Sequence, residues 1–95
     1  MIVKGKTKSG ITFKIDDRIK DDARFMYFLA KSQDAEADLT EQSKAVMGIL
    51  KLVFGTDEGV IEFMNAVAAT NKGLCDVKTM LAELTEIFDA IHAKN

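Results

Sequence analysis

Val77-Lys78-Thr79-Met80-Leu81-Ala82-Glu83-Leu84-Thr85-Glu86-Ile87-Phe88-Asp89-Ala90-Ile91 places apolar side chains at 77, 80, 81, 84, 87, 88 and 91. Steps of three and one put them on a single stripe of an α-helix. Glu83, Glu86 and Asp89 fall on the other face, and Asp76 stands where an N-cap belongs. Such a helix must bury its stripe against other elements, and the preceding sequence supplies three of the same kind.

Upstream, Thr56 or Asp57 caps a helix carrying Val60, Ile61, Met64, Val67 and Ala68, closed by Asn71-Lys72-Gly73. Before it, Asp38 with Glu41 three residues on resembles a capping box. That helix holds Val46, Ile49, Leu50, Val53 and Phe54 and ends on Gly55. Gln33 to Ala37 is polar and reads as a loop. Asp21 or Asp22 caps the earliest helix, with Phe25, Phe28 and Leu29 on one face. Residues 1–16 change period. Val3, Gly5 and Thr7 alternate with Ile2, Lys4 and Lys6, and after Lys8-Ser9-Gly10 the residues Ile11, Phe13 and Ile15 share a face. Gly10 suits a tight turn, and Asp16-Asp17 stops the strand. The expected fold is α+β, mainly α: an N-terminal β-hairpin (1–16) and a helical body (17–95) of about four helices, in one domain.

The 95 residues suffice for one core. With 47% hydrophobic and 29% charged residues, the chain is not of the disordered class. One cysteine, Cys75, cannot form an internal disulfide, which points to a reducing compartment. No apolar run is long enough for a signal peptide or a membrane span. Charge is uneven. Residues 1–20 hold six bases and two acids; residues 21–95 hold seven bases and thirteen acids. The basic end could meet nucleic acid or the acidic body of a neighbour, or its lysines could simply guard open strand edges.

Catalytic chemistry finds little to work with. His92 sits in the last turn of a helix, where a cation suits the dipole. Cys75 precedes a helix without a histidine nearby in sequence. No CxxC, HExxH, EF-hand loop or phosphate-binding glycine loop is present, so no catalytic, cofactor or metal residues are assigned. The helices on either side of Gly55 could mimic a helix-turn-helix, yet the second begins Asp57-Glu58, adds Glu62 and has no base until Lys72. Carboxylates facing phosphates oppose DNA binding.

Surface remains. Five methionines and six phenylalanines suit a pliable apolar groove. Phe25, Met26, Tyr27 and Phe28 are consecutive, so one helix face cannot bury all four. Phe25, Met26, Tyr27, Met47 and Met64 are therefore candidates for partner binding. Lys4, Lys6 and Lys8 against Glu83, Glu86 and Asp89 are candidates for self-association into a homo-oligomer.

Several motifs occur in a telling order. They are Gly10-Ile-Thr-Phe13; Asp21-Asp22 ahead of Phe28-Leu29-Ala30; Leu50-Lys-Leu52-Val-Phe54-Gly55 before Asp57-Glu58; and Glu83-Leu-Thr-Glu86-Ile87-Phe88. Their order and spacing resemble the tail assembly chaperones of long-tailed (siphovirus-type) bacteriophages and prophages of Gram-positive hosts. Phe54 stands where that family favours Leu. The resemblance implies a non-enzymatic factor of the host cytoplasm, absent from the virion. It would bind the tape measure protein and keep it soluble while tail tube protein polymerises. It also implies a longer product of the same gene made by ribosomal frameshifting; Ala93-Lys94-Asn95 is what a slippery A-AAA-AAC sequence would encode. The alternatives are a structural head or tail joining protein of the virion and a small phage-encoded adaptor.

Overall fold

The computed structural model describes residues 1–93; Lys94 and Asn95, two of the three residues in the frameshift reading, lie outside them. Strand β1 (Ile2–Lys6) pairs antiparallel with β2 (Thr12–Asp16). A 3-10 turn (Asp17–Asp21) leads into α1 (Ala23–Ser32), α2 (Leu39–Phe54), α3 (Asp57–Thr70) and α4 (Val77–Ala93). A hairpin followed by four helices is the α+β, mainly α arrangement expected from the sequence.

The hairpin follows from its turn and its alternation. The Gly10 N–H donates to the Thr7 carbonyl at 2.9 Å, and the Thr7 N–H donates to the Ile11 carbonyl at 2.9 Å. Gly10 takes φ +95°, which closes this three-residue connection at little steric cost. Val3, Ile11, Phe13 and Ile15 point into the core, while Lys4, Lys6, Thr12 and Lys14 point out. Phe13 lies opposite Gly5 with its ring against the glycine. At the far end, the Asp17 N–H donates to the Met1 carbonyl, and the buried Asp17 carboxylate accepts from the Met1 ammonium, both at 2.9 Å.

Each helix starts on a capping side chain. Asp22 accepts from the Arg24 N–H, Asp38 from Glu41, Thr56 from Gly59 and Asp76 from Thr79. The capping box at Asp38 is one-sided: the Glu41 carboxylate sits 3.7 Å from Lys31 Nζ on α1. The sequence reading did not foresee the 3-10 turn, which Asp16 caps by accepting from the Arg18 N–H at 3.0 Å.

Leu50, Val67, Ile87 and Ile91 are the most deeply buried helical side chains. Phe25 on α1 meets Phe88 on α4 edge-to-face at 5.2 Å, tying the first helix to the last. The phase of α3 differs from expectation. Phe63, not Ile61 or Met64, joins Val60 and Val67 in the core, and Ile61 is 55% exposed. The reason is Phe54, whose ring stacks on Phe63 with centroids 4.6 Å apart and turns that face of the helix inward. On α4, Val77 and Leu81 are exposed and Glu83 is buried, so the acidic face is not wholly on the solvent side.

Two expectations follow. A Cβ at Gly59 would stand 2.7 Å from the Phe54 carbonyl oxygen, a backbone atom that cannot step aside cheaply. Alanine gains about 1 kcal/mol of helix propensity, whereas overpacking costs about 1–3 kcal/mol. Gly59→Ala should therefore lose roughly 1 kcal/mol by urea unfolding; a gain would refute the tight approach. The second concerns acid. Arg18 holds the Asp16 carboxyl at about 2, and Arg24 holds Asp22 at about 2, both chiefly through side-chain hydrogen bonds. A lowered carboxyl stabilises the fold above its unfolded value near ~3.9 and stops doing so as pH falls through the folded value. Thermal melts should thus weaken between about pH 4 and 2. Asp22→Asn, which still caps, should show a shallower decline.

Candidate protein-binding surfaces

The first surface lies across α1 and α2. These helices form an antiparallel pair whose close approach is set by Phe28, its ring packed on Gly48. With Phe28 turned inward, the next-door Tyr27 and Met26 are left outside, 63% and 60% exposed. Tyr27 rests edge-to-face on Phe28 at 5.7 Å, which holds its ring in place. A depression of about 340 Å³ runs from Tyr27 and Lys31 to Lys44 and Ala45. A neighbouring one of about 460 Å³ shares Lys44 and is lined by Leu39, Thr40, Ser43 and Met47. The two adjoin at Lys44 as a shallow trough whose walls mix Tyr27, Phe28, Leu39 and Met47 with Thr40, Glu41, Ser43 and two lysines.

Three of the five partner-binding candidates, Met26, Tyr27 and Met47, are thus exposed. Met64 is half-buried against the core. Phe25 requires correction: it is 6% exposed and its ring is taken up by Phe88, so it offers no surface. Sequence reasoning missed Leu39, 78% exposed in the trough. Its signal was available, since a leucine directly after an N-cap sits on the first turn, beyond the reach of the helix's main packing stripe.

The second surface is the outer face of the hairpin. Lys4 and Lys14 are direct cross-strand neighbours, with Lys6 beside them. None of the three has an ion pair among the described residues. The acidic partners assigned to them on α4 need correction. Glu83 is only 5% exposed, beneath the chain's own hairpin turn, where Thr7 Oγ1 donates to its Oε1 at 3.5 Å. Glu86 Oε2 accepts the Lys8 backbone N–H at 2.6 Å. Only Asp89 of the trio is fully exposed. The hairpin turn sits on the acidic side of α4, so two of its carboxylates serve the fold within one chain.

Elsewhere the chemistry is plain. Cys75 is half-buried, and burial followed by the charge of Asp76 raises its thiol above the ordinary value. His92 Nδ1 lies 2.8 Å from the Phe88 carbonyl in the last turn of α4. No group of three His, Cys, Asp or Glu side chains that could hold a metal occurs among the described residues. No helix among them is long and apolar enough to cross a membrane.

The seat of the turn on α4 is testable. Buried Thr7 Oγ1 accepts from the Ile11 N–H at 3.2 Å while facing Glu83. Thr7→Val leaves a buried donor and a buried carboxylate without that hydroxyl, and should cost about 2 kcal/mol. Thr7→Ser keeps the hydroxyl and should cost less than about 1 kcal/mol. Equal losses in urea titrations would show that shape, not the hydroxyl, seats the turn. No family model, no curated protein and no solved structure matches the chain.

Proposed function

We propose that this protein is a tail assembly chaperone of a long-tailed bacteriophage, working in the host cytoplasm. It binds the tape measure protein and keeps it soluble while the tail tube forms. The reading starts from the order of motifs between Gly10 and Phe88. The observation that carries it is the trough on α1 and α2, with Tyr27, Leu39 and Met47 exposed on a folded body. A long coiled client displays amphipathic helices, and a helix lays its apolar stripe into such a trough. Methionine adapts to successive, non-identical stretches of the client. Lys44 flanks the trough and would face a client carboxylate, while Lys31 beside it is paired with Glu41.

The expected assay is co-expression with a tape measure fragment. The wild-type chain should keep the fragment soluble and be retained with it at low salt. Tyr27→Glu with Met47→Glu should lower affinity at least about tenfold, because each places a charge in an apolar contact. Both positions are exposed, so circular dichroism should be unchanged. A wild-type chain that fails to retain the fragment, or that is found in purified virions, would overturn the reading in favour of a joining protein.

A further inference from the structure

The open edge of β2 borders a groove that neither the trough nor the fold accounts for. The hairpin's ladder bonds fall on odd-numbered residues: Asp17 donates to Met1 and Thr7 to Ile11, in the register that pairs Val3 with Ile15 and Gly5 with Phe13. Hydrogen-bonded pairs alternate along an antiparallel ladder. The N–H and C=O groups of Thr12 and Lys14 therefore point away from β1. No loop or side chain among the described residues bonds them. They face a groove of about 560 Å³ between residues 9–14 and α3, whose walls include Phe13, Phe54, Phe63 and Ala66, with Lys14 and Glu62 as its charged members. Of residues 9–14, Thr12 to Lys14 belong to β2 and 9–11 to the turn; the facing stretch of α3 from Gly59 to Thr70 is about 17 Å long.

We propose that this edge takes an extended peptide of alternating apolar and acidic residues as a third strand. The alternation follows from the two faces. Side chains of an added strand that point inward meet Phe63 and Ala66; those that point outward continue the row of Lys14 and Lys4. Lys4 and Lys14 form a non-hydrogen-bonded cross-strand pair, the geometry in which side chains are closest. Like charges there are destabilising, and among the described residues none of Lys4, Lys6 and Lys14 has an ion pair. A carboxylate beside Lys14 relieves that repulsion. A second copy adding its own β2 antiparallel would either bring Lys14 to Lys14 or set Lys14 opposite Asp16, whose carboxylate is already taken by Arg18. The inference does not rest on the phage reading.

The test titrates the blocked peptide Glu-Val-Glu-Ile-Glu-Val into the full chain and follows backbone amide exchange. Binding should slow exchange at Thr12 and Lys14 by about tenfold or more and leave Phe13, already in the ladder, unchanged. Lys14→Glu should weaken binding about tenfold. Thr12→Pro, which removes an outward donor but no ladder bond, should weaken it at least as much. A peptide with lysines in place of the glutamates should not bind. The proposal is overturned by absence of binding at ~1 mM peptide, or by binding without protection at Thr12 and Lys14. Equal binding of the lysine peptide would overturn it too. So would protection in the free chain that grows with protein concentration, the mark of self-pairing. Displacement of the peptide by a single-stranded oligonucleotide that leaves Thr12 and Lys14 unprotected would reassign the lysines to phosphate.

Discussion

Val3, Ile11, Phe13 and Ile15 press one face of a two-stranded hairpin onto the helices, and two strands in water are marginal without such cover. Each buried side chain of that size contributes about 1.5–3 kcal/mol, against about 0.5–1.5 kcal/mol for a typical hydrogen bond. Apolar burial therefore decides the register. A slip of one residue would turn the inward side chains of the slipped strand to solvent and bring its lysines inward. The polar contacts decide something finer, namely where the turn comes to rest. Thr7 and Lys8 set it on Glu83 and Glu86 of α4, so the first and last elements close on each other. Once β1 lies toward α4 and β2 toward α2 and α3, the outer edge of β2 opens beside α3.

Much of this was legible because it is local. A cap needs one side chain and the N–H two or three residues on: Asp38 and Asp76 cap where the sequence placed them, and the structure chooses Asp22 over Asp21 and Thr56 over Asp57. Strand alternation was equally clear at Ile11, Phe13 and Ile15. The phase of α3 was not legible, since periodicity treats Ile61, Phe63 and Met64 as equals. A ring on a different helix, Phe54, chose among them. Likewise, the run from Phe25 to Phe28 showed that something must remain outside, but only the Phe25–Phe88 contact and the Phe28–Gly48 contact settle which two residues.

Glu83 is the more instructive miss. It stands three residues after Met80 and four before Ile87, inside the buried stripe rather than opposite it. A charge at such a position needs a partner or a rim, because unpaired burial is costly. The sequence held that warning, and the partner is Thr7, 76 positions away. Long-range pairing of this sort is what a pass along the chain cannot see.

That pairing also changes the meaning of the basic N-terminal segment. As long as Glu83 and Glu86 counted as free surface, the lysines of one copy had a counterpart on the next. With Glu83 buried and Glu86 bonded to the Lys8 backbone, α4 presents Asp89 as its remaining fully exposed acid of the three. Lys4 and Lys14 then face each other with no ion pair among the described residues. Lysines guard a strand edge against self-pairing, and here three of them lie beside the unpaired backbone groups of Thr12 and Lys14 and the groove along α3. In the proposed reading, charge and backbone together would select an incoming acidic strand, whereas the trough on α1 and α2 would select a helix. The two surfaces share no lining residue, so one copy would hold both proposed kinds of segment without either competing for the other's contacts.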